Sequence, residues 1–342
     1  MEDSQTLVQT GISWGLLSFL AALIYALISI RFLIARFSSH NIVARENART
    51  LHKGVIPVGG GWAILPPVFV VLLLYPPAEE PLAGMMIAGG FLVLALISWM
   101  DDRHHVHPGI RLVIQALVVI AALAAIPSQH PLLPGPWPPW ADRLLVALGW
   151  LWFINLFNFM DGMDGLAAVE TLFVVAGMLF ITLWKGMNTA NVILLFALAG
   201  STTGFLKYNW PPARIFLGDI GAIPLGFLLG WLLIDLAAKG HLAAALLLPG
   251  YFLADASITL LRRMARGEAF WRPHRTHFYQ RAALALNDHG RVLWRIILAN
   301  AILLMLALAS LRWPLASLAG GILIIITLLY TFSHARQARD RQ

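Results

Sequence analysis

The sequence predicts an all-α polytopic integral membrane protein with about eleven transmembrane helices, N-terminus out and C-terminus in. Three observations carry this expectation. Hydrophobic residues make up 59% of the 342 and charged residues only 12%, against roughly 25% charged in a soluble domain. Apolar runs long enough to cross a bilayer recur along the whole chain. Lys and Arg gather in alternate loops.

A span needs about 20 mostly apolar residues. Candidates lie near 11–36, 61–75, 83–100, 110–127, 142–158, 165–184, 188–206, 222–238, 241–261, 292–311 and 314–333. The first is too long for the core of a secretion signal, and the preceding MEDSQTLVQT has no positive charge, so no cleavable leader is expected. The second and fifth are the weakest, being short or interrupted by Pro66 and Pro67. With the N-terminus outside, the inner loops and tail hold 18 Lys and Arg and the outer loops 4. That asymmetry is the positive-inside pattern, and it points to a multi-pass protein of a bacterial inner (cytoplasmic) membrane, with the bilayer as a constant partner. The net charge of +7 is thereby accounted for by topology, and no nucleic-acid partner is expected. The absence of cysteine removes disulfides and thiolate metal sites.

The longest stretch between spans, residues 262–291, is too short for a core of its own. Residues 1–342 are therefore expected to form a single membrane-embedded domain with cytoplasmic working loops near 36–60, 101–111, 158–165, 207–221 and 262–291. The outer loop IPSQHPLLPGPWPPWADR reads as an interfacial cover with aromatic anchors.

All the notable polar clusters fall on the inner side. In NARTLHKGVIPVGGGWAI (47–64), Gly59, Gly60 and Gly61 open a helix whose backbone N–H groups and positive dipole end could meet an anion, with Arg49, His52 and Lys53 just upstream. The plainer reading is a flexible turn between lipid-facing basic residues. In SWMDDRHHVHPGIR (98–111), Asp101 and Asp102 end an apolar helix, where acids oppose the helix dipole. Divalent-metal or proton chemistry would justify them, or Arg103 and the histidines simply neutralise them. In NLFNFMDGMDGLA (155–167), Asn155, Asn158, Asp161 and Asp164 recur every three residues, on one face if the turn is helical. Asp164 also suits a helix cap. In KYNWPPARIFLGDIGA (207–222), Asp219 lies between glycines at a helix entrance, with Asn209, Arg214 and Phe216 nearby. In RRMARGEAFWRPHRTHFYQR (262–281), His274, Arg275 and His277 sit in a basic loop, suited to metal or, among arginines, to phosphate, or serving topology alone.

Hard oxygen donors with little nitrogen or sulfur favour Mg²⁺ or Mn²⁺. Carboxylate–metal chemistry beside basic loops points to phosphoryl or phosphosugar transfer. A competing reading is a transporter using Asp235 and Asp255, the acids inside apparent spans; another is a polyprenyl-pyrophosphate hydrolase.

Taken in order, NARTLHKGVIPVGGG, the Asp101–Asp102 pair, NLFNFMDGMDGLA, IFLGDIG and the histidine loop resemble the polyprenyl-phosphate N-acetylhexosamine-1-phosphate transferases (glycosyltransferase family 4, the MraY/WecA-like enzymes) over nearly the whole chain. Helix count and orientation are similar to the WecA-like branch, and PHRTHFYQR with LADASITLLRR resembles O-antigen or surface-polysaccharide initiating enzymes of the WecA/WbpL type. The resemblance implies transfer of an N-acetylhexosamine-1-phosphate from a UDP-N-acetylhexosamine to undecaprenyl phosphate, releasing UMP, with Mg²⁺ as cofactor; it also admits a homodimer. It implies Asp219 as metal ligand, with Asp101 deprotonating or positioning the lipid phosphate, or joining Asp219 on the metal, and Asp102 beside it. Asp161 and Asp164 would stand by the metal, Asn155, Asn158, Asn209 and Phe216 by the nucleotide, and His274, Arg275 and His277 by the phosphates. Three positions depart from the family pattern: Val58 replaces an arginine, Ala222 a serine, and His274-Arg275-Thr276-His277 an H-I-H-H run. The identity of the sugar is open.

Overall fold

The computed structural model describes residues 2–40, 56–77, 80–104, 106–127, 130–186, 189–268 and 274–335. Thirteen α-helices are seen among them: α1 (Glu2–His40), α2 (Gly61–Leu74), α3 (Pro81–His104), α4 (Pro108–Ala124), α5 (Pro139–Met160), α6 (Leu166–Lys185), α7 (Thr189–Asn209), α8 (Asp219–Leu236), α9 (Leu242–Leu247), α10 (Gly250–Ala265), α11 (Phe278–Leu286), α12 (His289–Ala309) and α13 (Pro314–Ser333). The only β pairing among the described residues is a single parallel bridge between Val58 and Phe216. The all-α membrane class is as expected: eight helices are long and apolar enough to cross a bilayer.

Among the described residues, the other expected spans form shorter helices for local reasons. The α2 helix has 14 residues and α4 has 17, short of about 20. The segment expected as a span at 241–261 is divided. Gly240, at φ 86°, kinks the chain after α8, and Pro249, which has no N–H to donate, separates α9 from a 16-residue α10.

Burial orders the helices around α8. The apolar stretch that begins at Asp219 is 89% buried, against 17% for α1 and 28% for α13. A helix apolar on every side belongs in the middle, and α8 packs against α2, α3, α5 and α6. Its glycines admit close neighbours: Trp150 of α5 stacks on Phe227 at 4.7 Å and donates its indole N–H to the Phe227 carbonyl at 2.8 Å. Gly200 and Gly204 of α7 likewise let α1 approach, since a Cβ on Gly200 would lie 2.2 Å from the Phe19 carbonyl oxygen. The outer surfaces of α1 and α13 expose Leu, Ile and aromatic side chains, as lipid-facing surfaces do.

Candidate active site

At one end of the bundle the last turns of α3, α5, α7 and α10 meet the first turns of α4, α6, α8 and α12, with α11 alongside. The α8 N-terminus is the organising feature. Its flanking residue Gly218 has no side chain to cap it and sits at φ 78°, in the left-handed region. A Cβ there would also lie 2.7 Å from Val58 and 3.0 Å from Asp102. The cap comes from another helix: Asp102 accepts the Asp219 N–H at 3.2 Å and the Ile220 N–H at 3.1 Å. The acid that opposes its own helix dipole thus faces the positive end of α8.

Its neighbour Asp101 turns the other way. It accepts the Val106 N–H at 2.7 Å and pairs with Arg111 of α4. The same guanidinium nitrogen lies 2.6 Å from an Asp219 carboxylate oxygen, so Arg111 bridges the two acids. Arg103 does not neutralise them; its guanidinium lies 4.5 Å over the Trp99 ring. His107 accepts the Gly109 N–H at the start of α4. Arg111 was missed in the sequence reading, although it stands at the end of the same stretch. Its only signal was its place in the first turn of an otherwise apolar helix.

The carboxyl of Asp161 closes the cluster from α5. Burial, and then the negative charges of Asp219 and Asp102, push it up to about 8 from 3.8. Such repulsion is the opening that a divalent cation would relieve. Among the described residues no three His, Asp or Glu side chains already form a metal cage. Asp219, whose charge acts on Asp161, and Asp161 itself could hold a divalent ion of the kind that takes one or two carboxylates and completes its shell with water and substrate phosphate.

The four-residue face expected at 155–164 does not form. The α5 helix ends at Met160 and Asp161 leaves it with ψ 60°, so the side chains diverge. Asn155 donates to Gln115 of α4 and to its own helix carbonyl at Leu151, both at 2.8 Å. Asn158 and Asp161 line a pocket with Gly162, His274, His277 and Gln280. Asp164, 2% exposed, accepts the Ala213 N–H at 3.0 Å and lies 3.5 Å from His289. These are the contacts of a loop anchor. Asn209 is similarly internal: it accepts from the Gly165 N–H and donates to the Ile215 carbonyl, each at 2.9 Å.

The glycine run is corrected as well. The N–H groups of Gly59 and Gly60 donate to the Phe216 carbonyl, at 3.1 and 2.8 Å, and that of Gly61 to Leu217 at 3.0 Å. They are spent on the neighbouring loop and do not await an anion. Glycine is needed there for proximity, because a Cβ on Gly61 would stand 2.6 Å from the Gly221 Cα. Phe216 donates its own N–H to Pro57 at 2.9 Å, so its backbone locks this pair of loops. Arg49, His52 and Lys53 lie outside the described residues.

In the histidine loop, Arg275 is exposed while His277 is buried at 1%. His277 stacks between His274 at 4.9 Å and Tyr279 at 5.7 Å, ring centre to ring centre. The span acids read as transport candidates have other engagements. Asp235 pairs with Lys239 at 2.7 Å and Asn191 at 3.1 Å, and Asp255 holds the start of α11.

Acids and an arginine gather at a helix N-terminus on the end of an apolar bundle, an arrangement that could serve phosphate chemistry at a membrane. Comparison with known proteins agrees in class. Residues 84–237 match the family model described as glycosyl transferase family 4. The phospho-N-acetylmuramoyl-pentapeptide-transferase of Moorella thermoacetica is 34% identical over 222 residues, 59% of this chain and 68% of the relative. That of Chlamydia trachomatis serovar L2 is 32% identical, over 57% of this chain and 66% of the relative, a little under two thirds of its length. The undecaprenyl-phosphate alpha-N-acetylglucosaminyl 1-phosphate transferase of Yersinia pestis is 28% identical over 79% of this chain and 77% of its own. The chain belongs to glycosyl transferase family 4.

Proposed function

We propose that this chain transfers an N-acetylhexosamine-1-phosphate from a UDP-N-acetylhexosamine to undecaprenyl phosphate, releasing UMP, at the cytoplasmic face of a bacterial inner membrane. The observation that carries the reading is the convergence of Asp101, Asp102, Asp161 and Asp219 with Arg111 on the α8 N-terminus. The printed names of relatives in the same family support the substrate pair, and the product would initiate O-antigen or surface-polysaccharide synthesis.

The nucleophile is an oxygen of the lipid phosphate, which is already largely ionised near neutral pH. It attacks the β-phosphorus of the UDP-sugar; the bond to the UMP oxygen breaks and a pyrophosphate bond to the lipid forms. No strong base is required, so the protein's work is positioning and cancelling repulsion between anions. Arg111 and the α8 N-terminus present positive charge, while Asp102 holds that N-terminus in place. Asp161 keeps its proton at neutral pH until a cation or substrate changes its surroundings. Mg²⁺, when bound by Asp219 and Asp161, supplies charge neutralisation at the pyrophosphate. Asn158 and His277 line the pocket beside Asp161 and form the wall for the nucleotide sugar.

Purified protein in detergent with undecaprenyl phosphate and UDP-sugars tests this reading. EDTA is expected to abolish UMP release and added Mg²⁺ to restore it. Release that survives EDTA, or proceeds without the lipid phosphate, contradicts it.

A further inference from the structure

We propose that Asp255 is a positioning residue whose carboxylate holds the His277 ring so that Nε2 accepts a hydrogen bond from a hydroxyl or amide N–H of the nucleotide sugar. The inference rests on the transferase reading of the same pocket and assigns one of its walls.

Asp255 lies within the apolar stretch GYFLADASITLL, 0% exposed. Its two oxygens accept from the Tyr251 hydroxyl at 2.9 Å, the Thr259 hydroxyl at 3.3 Å, and the Phe278 and Tyr279 N–H groups, both at 3.1 Å. The remaining neighbour is His277 Nδ1 at 3.1 Å. So many donors around one buried carboxylate hold it in a single orientation.

His277 flanks the N-terminus of α11, and its side chain also meets the Gln280 N–H. Two tautomers therefore compete. With the proton on Nε2, a bare Nδ1 would accept from Gln280 but would face a carboxylate oxygen at 3.1 Å, lone pair against anion. With the proton on Nδ1, that contact becomes a charge-assisted hydrogen bond, the stronger of the two. The second arrangement leaves Nε2 as the acceptor of the neutral ring.

Where Nε2 points follows from the ring's other neighbours. Its faces are covered by His274 and Tyr279, and its Nδ1 edge by Asp255. His277 lines the pocket with Asn158, Asp161 and Gln280, and the edge left to face it is the one that carries Nε2. Nε2 is buried and has no hydrogen-bond partner among the described residues, a state that buried polar atoms rarely keep. A donor from a bound ligand completes it. This arrangement is that of a carboxylate fixing the tautomer of a working histidine through its far nitrogen.

¹⁵N-histidine NMR of the full-length chain in micelles reads the tautomer, with His277→Asn assigning the signal. The wild type is expected to be protonated at Nδ1, and Asp255→Asn to shift the ring toward Nε2. In transfer assays, Asp255→Asn and His277→Asn are each expected to lower kcat/KM on the order of 10- to 100-fold. The double variant is expected to lose no more than His277→Asn alone, because one residue acts through the other. Losses that multiply, as a merely structural Asp255 would give, overturn the proposal; so does a wild-type ring protonated at Nε2. The wild-type spectrum needs no variant to fold. If the wild type transfers nothing, the functional reading fails while the spectrum still decides the Asp255–His277 arrangement.

Discussion

At the scale of single residues, the carboxylates divide by what surrounds them. Asp219 shares Arg111 with Asp101, and burial, followed by the charges of Asp219 and Asp102, raises Asp161 to about 8. Asp219→Asn is expected to lower kcat at least about 100-fold, the scale of losing one preorganised electrostatic group, with thermal unfolding little changed. Retained turnover in a folded variant removes Asp219 from the reaction. Asp161 carries a pH signature. The unfolded chain ionises it near 3.8, while the folded chain holds the proton to about 8. Between those values the folded state binds the extra proton, so metal-free stability falls as pH rises through the window. Asp161→Asn is expected to flatten that fall, measured as melting temperature against pH in EDTA. An unchanged slope in the variant contradicts the assignment.

At the scale of elements, legibility in the sequence followed the period of the pattern. Long apolar runs announced α3, α6, α7, α8, α12 and α13 because each forms one continuous helix of 18 or more residues. The run at 241–261 is broken at Pro249 and preceded by the Gly240 kink, and hydropathy alone is blind to both. The five polar clusters were also visible, yet their internal roles were not. The spacing of Asn155, Asn158, Asp161 and Asp164 reads as one helical face, but the helix ends at Met160, so Asn155 turns to Gln115, Asn158 and Asp161 line one pocket, and Asp164 anchors the loop at Ala213. Asp255 was legible only as an acid in a span, since its partner His277 is 22 residues away and joined through the fold. The Gly59–Gly61 run had a packing reason that requires the α8 backbone to be seen. Gly61→Ala is accordingly expected to destabilise the fold by about 1–3 kcal/mol, as overpacking does, and to lower activity through the displaced α8 N-terminus. A chain as stable and active as wild type shows that the two helix starts are not in close contact.

At the scale of the whole molecule, the account requires one orientation, with every site element on the cytoplasmic side. The chain has no cysteine, so single cysteines report topology cleanly. Arg266→Cys is expected to be shielded from an impermeant maleimide in intact cells, and Arg312→Cys to be labelled; the reverse pattern inverts the topology. The central claim is that phosphorus travels with the sugar. It is tested most directly by incubating the purified chain with undecaprenyl phosphate and a panel of UDP-N-acetylhexosamines labelled with ³²P in the β-phosphate and ³H in the sugar. The account predicts both labels entering the lipid phase in equal amounts, with UMP as the released nucleotide. Tritium entering the lipid without ³²P, with UDP released, would contradict it.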